Sequence, residues 1–180
     1  MILAIDGGVD NGASYGFVDE DETNLIIGYL LDYELCSLGM TTYMTREKDE
    51  YISLQQRVLT ANIKQADIFV SLHCDAFHNE TSKGMSVHIS ENHYSKKALL
   101  LAESINNNLI IQFPDHQHRG VKKSNFYVLN KTTMPAVLVE CEFLSNPDTR
   151  SFLKKPENQR RLARSICTSI IYYFKSVETL

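Results

Sequence analysis

Short apolar runs alternate along this chain with longer stretches of helical period, and that alternation narrows the possible folds more than any other feature. Ile2-Leu3-Ala4-Ile5 reads as a buried strand stopping at Asp6-Gly7-Gly8. Ile68-Phe69-Val70-Ser71-Leu72 is a continuous apolar run, as expected of a central strand covered on both faces. Between them, Thr23 to Leu38 reads as a helix, with Leu25, Tyr29, Leu31 and Leu35 inward and Gly39 as its stop. Strands separated by helices give an α/β fold. The expectation is one domain over residues 1–180, built on a twisted, mostly parallel (mixed) sheet of about six strands with helices on both faces.

The remaining elements follow the same rules. Thr41 to Thr45 suits a strand. Ser53 and Gln56 form a capping-box pattern at the head of a helix over Leu54 to Lys64. Met85 to Ile89 reads as a strand, and Lys96 to Phe113 as a helix ended by Pro114. Asn125 to Leu129 and Ala136 to Val139 read as two more strands. Pro156 opens a final helix whose Leu162, Ile166, Ile170 and Phe174 form one buried stripe.

Composition removes several function classes. Hydrophobic residues make up 43% and charged residues 22%, so the chain is neither disordered nor a coiled coil. No apolar run approaches the roughly 18 residues that span a bilayer. Lys+Arg 18 against Asp+Glu 22 gives a net charge of -4 and no basic field for nucleic acid. The first residues lack the basic n-region of a signal peptide. Cys36, Cys74, Cys141 and Cys167 form no CxxC pair and are expected to be free, mostly buried thiols. A monomer is expected.

In an open α/β sheet, functional groups gather past the carboxyl ends of strands. Three such places carry suggestive polar residues: Asp6 to Ala13, His73-Cys74-Asp75, and Glu140-Cys141-Glu142. The acidic stretch Asp19 to Glu22 lies just before the first helix. Each has a plain structural explanation, since acidic groups complement a helix N-terminus and a single His often only bonds its neighbours. Together they suggest more. A neutral His and a carboxylate are ordinary zinc ligands, and a second carboxylate nearby is the base that metal-assisted hydrolysis needs.

These residues resemble the catalytic domain of zinc-dependent N-acetylmuramoyl-L-alanine amidases of the Amidase_3 type, enzymes that cleave bacterial peptidoglycan. The resemblance runs through Ala4 to Asp6 with Gly7 to Ala13, Glu20 to Leu25, Thr45-Arg46 with Asp49, Arg57, Ala66 to Ala76, Arg119 to Lys122, and Pro135 to Asn146, in order. It implies one Zn2+ ion, with Glu20 and His73 as two ligands and Glu140 as the catalytic carboxylate. It implies hydrolysis of the amide between the muramic acid lactyl group and the L-alanine of the stem peptide. Peptidoglycan would be the partner, and the cell envelope or extracellular space the place of action. The short interval from Phe77 to Lys83 leaves no room for the plug helix of some members, which implies an exposed cleft.

The chain departs from the family at one point. Where the family has Asp-Pro-Gly-His-Gly-Gly, Asp6 runs directly into Gly7-Gly8, so Pro-Gly-His is absent. Aligned without a gap, Val9 stands at the His position, and valine cannot bind zinc. Asp6 and Asp10 are the candidates to fill the vacancy. The alternative reading is a cell-wall-binding pseudoenzyme that keeps the groove without catalysis. Arg46 and Arg57 are expected to be structural.

Overall fold

The computed structural model describes residues 1–8, 14–15, 18–93 and 95–177. Its elements are β1 (Ile2–Gly7), β2 (Ser14–Tyr15), β3 (Val18–Asp19), α1 (Glu20–Ser37), β4 (Thr41–Met44), α2 (Leu54–Ile63) and β5 (Ile68–Asp75). There follow β6 (Met85–Ser90), α3 (Lys96–Gln112), β7 (His118–Ser124), α4 (Tyr127–Lys131), β8 (Ala136–Phe143), α5 (Pro147–Leu153) and α6 (Pro156–Val177). Six strands form one mixed sheet in the order β4-β1-β5-β8-β6-β7, and β2 pairs with β3 in a small antiparallel hairpin. Strands β4, β1, β5 and β8 are mutually parallel; β6 pairs antiparallel with β8, and β7 is parallel to β6.

The two faces of the sheet differ. On one, Ile27, Leu31 and Leu35 of α1, Leu101 and Ile105 of α3, and Leu162, Ile166 and Ile170 of α6 pack on Leu3, Ile5, Val70, Leu72, Val137 and Val139. On the other, Val58 and Ala61 of α2 and Val128 and Leu129 of α4 cover Ala4, Phe69, Ala136 and Leu138. Side chains alternate along a strand with period two. Continuing the rows of this second face toward the strand ends therefore leads from Ala4 to Asp6, from Phe69 to Ser71 and His73, and from Leu138 to Glu140. The apolar cover ends where the polar residues begin.

Several boundaries differ from expectation. Helix α1 starts at Glu20 rather than Thr23, because the Asp19 carboxylate caps it by accepting from the N–H groups of Asp21 and Glu22. Strands β5 and β8 run on through Asp75 and Phe143, so His73 and Glu140 sit inside strands rather than after them. Asn125 to Leu129 is no strand: Tyr127–Lys131 forms α4, and the strand is the preceding His118–Ser124. Its Arg119-Gly120 and Lys122-Lys123 mask it in the sequence, yet charges are what an edge strand carries to refuse further pairing. Helix α5, capped by Asn146 with Pro147 in its first turn, was not expected. The connection from Ala76 to Gly84 contains no helix, as its length implied. Cys74, Cys141 and Cys167 are buried free thiols, and Cys36 is exposed.

Candidate active site

Glu20 opens α1, and its place is fixed by the cap beneath it. Asp19 holds the first turn from below, and the Thr23 hydroxyl donates to the Asp19 carbonyl. One helical turn on, Asn24 Nδ2 donates to Glu20 Oε1 and to the Gly8 carbonyl, both at 3.3 Å. The Glu20 carboxylate is thereby aimed at β5, where its Oε1 lies 3.5 Å from His73 Nδ1.

The other side of the His73 ring is fixed by a chain of three groups. Thr45 Oγ1 donates to Asp6 Oδ1 at 2.6 Å and Ser71 Oγ donates to Asp6 Oδ2 at 2.7 Å. Ser71 has spent its proton on Asp6, so at 3.1 Å its oxygen accepts from His73 Nε2. That assigns the proton of a neutral imidazole to Nε2 and leaves the Nδ1 lone pair facing Glu20. In that tautomer Nδ1 and the carboxylate oxygen face each other as two acceptors 3.5 Å apart, an arrangement that suits a shared cation.

Glu140 is the partner of His73 in the β5–β8 register. All three side chains are nearly buried: Glu20 is 8% exposed, His73 6% and Glu140 9%. His73 and Glu140 share the wall of a cavity of about 130 Å³ with Leu54, Arg57, Tyr127 and Leu138. Across the sheet, Ser86 is the β6 partner of Glu140. Ser86 Oγ meets Nε2 of His88 at 3.0 Å, and Ser124 Oγ meets its Nδ1 at 2.7 Å. Burial above all, then the charge of Lys122, pushes His88 down to about 4, so it is neutral at physiological pH.

The arginines brace this corner. Arg46 is buried and donates to the carbonyls of Gly7, Gly8, Asp21 and Lys48. It ties the end of β1 to the first turn of α1, and burial lowers its pKa. Arg57 Nε donates to the Ile52 carbonyl, and its Nη1 lies 3.6 Å from Asp6 Oδ2. The thiols of Cys74 and Cys141 are pushed up by burial and stay protonated.

Residues 1–172 match the family model Amidase_3, described as N-acetylmuramoyl-L-alanine amidase. The chain belongs to this amidase family. The N-acetylmuramoyl-L-alanine amidase LytC of Bacillus subtilis (strain 168) is 31% identical over 169 residues, which are 94% of this chain and 34% of LytC. The chain thus spans about a third of that relative. Among solved structures, N-acetylmuramoyl-L-alanine amidase AmiC2 of Nostoc punctiforme superposes with a TM-score of 0.90 at 29% identity, covering 97% of each chain. An N-acetylmuramoyl-L-alanine amidase from Clostridium difficile 630 does so with 0.90 at 28%, again over 97% of each.

The amidase family implies zinc, and the donors can be tested against it. Two ligands on one tetrahedral zinc, with bonds of roughly 2.1 Å, stand about 3.4 Å apart. Glu20 Oε1 and His73 Nδ1, at 3.5 Å, fit two adjacent positions. Among the described residues no group of three or more His, Cys, Asp or Glu could hold a metal ion. Asp6, a candidate third ligand, turns both oxygens to Thr45 and Ser71. Val9 and the other candidate, Asp10, lie outside the described residues. Gly8 is packed flat on the His73 ring: a Cβ there would fall 2.1 Å from Cε1.

Sequence reasoning singled out Glu20, His73 and Glu140, and Glu20 meets His73 while Glu140 lies beside it. It did not assign roles to Asn24 or Ser71, and it offered Asp6 as a zinc ligand, whereas Asp6 anchors Thr45 and Ser71. The signals for Asn24 and Ser71 were present in the spacing. Asn24 lies one helical turn from Glu20, and Ser71 two residues from His73 along one strand face.

Proposed function

We propose that this chain hydrolyses the amide between the lactyl group of N-acetylmuramic acid and the L-alanine of the stem peptide, with Glu140 as general base. The observation that carries the reading is the approach of Glu20 Oε1 to His73 Nδ1 at 3.5 Å, beside Glu140. The amidase names of its relatives supply the substrate. Such a substrate sets the place of action at the cell envelope or outside the cell.

In this reading Glu20 Oε1 and His73 Nδ1 would hold a zinc ion as two adjacent ligands. A zinc ion bound there supplies a water of near-neutral pKa and polarises the scissile carbonyl. Asn24 keeps Glu20 in place, and the Asp6–Ser71 pair keeps His73 in the tautomer that presents Nδ1. Glu140 takes a proton from the attacking water as its oxygen bonds to the carbonyl carbon. Glu140 then returns that proton to the alanine nitrogen as the C–N bond breaks. The products are the lactyl carboxylate and a stem peptide with a free amino terminus.

The test is release of L-alanine amino termini from purified peptidoglycan, with metal content measured on the same sample. Glu140→Gln removes the proton acceptor and keeps the shape. It should cut turnover at least about a hundredfold and leave metal content unchanged. Full activity in that variant would eliminate Glu140 as the base.

A further inference from the structure

Tyr127 stands between two concavities. On one side it lines the cavity of Glu140 and His73. On the other it lines a recess of about 360 Å³ with Asn92, Asn125, Asn130 and Lys131. Through His93, Asn130 and Lys131 that recess continues into a groove of about 580 Å³ along α4. Volumes of this order suit a small-molecule unit.

Hydrogen bonding fixes which way the asparagine side chains present themselves. Ser90 Oγ accepts from the N–H groups of Asn92 and His93, at 3.1 and 2.9 Å, and so donates to Asn130 Oδ1 at 2.5 Å. Asn130 is thereby oriented with Nδ2 toward Asn125 Oδ1, at 2.6 Å. Asn92 Nδ2 donates to the same oxygen at 2.7 Å. The amide oxygens of Asn125 and Asn130 are therefore spent inside the network. What remains to face a ligand is a surplus of donors: Asn125 Nδ2, which has no partner among the described residues, and the second N–H of Asn92 and of Asn130. Lys131 adds a cation, and among the described residues no carboxylate lines the recess or the groove.

A surface of preset amide donors beside an exposed aromatic ring suits a ligand rich in hydroxyl and acetamido oxygens with a flat C–H face. We propose that the recess between Tyr127 and Asn125 is a saccharide subsite that seats an N-acetylated pyranose of the glycan strand. The strand then lies along α4 and presents its stem amide to Glu140. The choice of this glycan rests on the amidase reading above; the donor-rich recess does not.

The test is titration of the protein with fluorescently labelled, peptide-free strands of alternating N-acetylglucosamine and N-acetylmuramic acid. The strands should bind saturably. Asn125→Asp, which keeps the acceptor and removes the outward donor, should weaken binding at least about fivefold. Tyr127→Ala should do the same with an unchanged circular dichroism spectrum. Asn125 is exposed and its exchange leaves the core untouched, so that variant keeps the test valid if Tyr127→Ala misfolds. Binding unaltered by Asn125→Asp, or strands that fail to bind while free stem peptide does, overturns the subsite. If strands bind and the variant weakens them while intact peptidoglycan is not hydrolysed, the subsite stands and the amidase reading falls. If peptidoglycan is hydrolysed with an unchanged KM in Asn125→Asp, the subsite falls and the amidase reading stands.

Discussion

At the scale of single residues, polar groups on the second face of the sheet orient one another. Asp6 accepts a hydrogen bond from Ser71, Ser71 accepts one from His73 Nε2, and the consequence appears at Nδ1. His88 is held differently, between two hydroxyls and under burial that pushes it down to about 4. In the unfolded chain an imidazole titrates near 6.5. Between these values the unfolded state binds more protons than the folded one, so stability falls as pH drops through this window. The full loss is no more than about 3 kcal/mol and is complete below pH of about 4. Burial causes most of the shift and Lys122 adds to it. His88→Gln should flatten this acid limb in denaturant titrations at pH 7, 5.5 and 4. An unchanged pH slope would show that other groups drive it.

At the scale of elements, what was legible depended on whether a segment's local chemistry agreed with its place in the fold. Helix α2 was readable because Ser53 and Gln56 form a complete reciprocal cap. Strand β5 was readable as a strand because its apolar run is buried on both faces, yet its end was not. His73, Cys74 and Asp75 look like loop residues, and only pairing with β8 keeps them extended. Phe126 to Leu129 has strand composition, but Val128 and Leu129 are needed side by side over Leu138 and Ala136, which a helical turn provides. Strand β7 is held extended by its tertiary pairing with β6, which no local pattern announces. Glu20 was legible as a site residue by resemblance, whereas its support was local: the Asp19 cap. Asp19→Ala should cost about 1 kcal/mol in chemical unfolding. It should also weaken zinc retention by about tenfold, because the cap sets the Glu20 geometry. A variant that loses stability while keeping full metal affinity would separate the two effects.

At the scale of the whole molecule, Gly8, in the connection that leaves β1, lies so close to the His73 ring that a Cβ there would fall 2.1 Å from Cε1. Inserting Pro-Gly-His between Asp6 and Gly7 lengthens that connection. It should raise zinc affinity at least tenfold, read by competition with a chromophoric chelator, and increase L-alanine release from peptidoglycan. Equal affinity with and without the insertion would mean that residues of this chain already complete the coordination. The strand order carries one more consequence. Strand β8 lies between β5 and β6, which precede it in the chain, and it is the last strand to be made. Until Ala136 and the residues after it are made, β4-β1-β5 and β6-β7 lack the strand that joins them, and each leaves open the edge that β8 pairs with. Open edges of this kind invite pairing between neighbouring chains. The strand that brings Glu140 is thus also the keystone of synthesis, and a chain cut before Ala136 is expected to aggregate rather than to fold as a domain without its base.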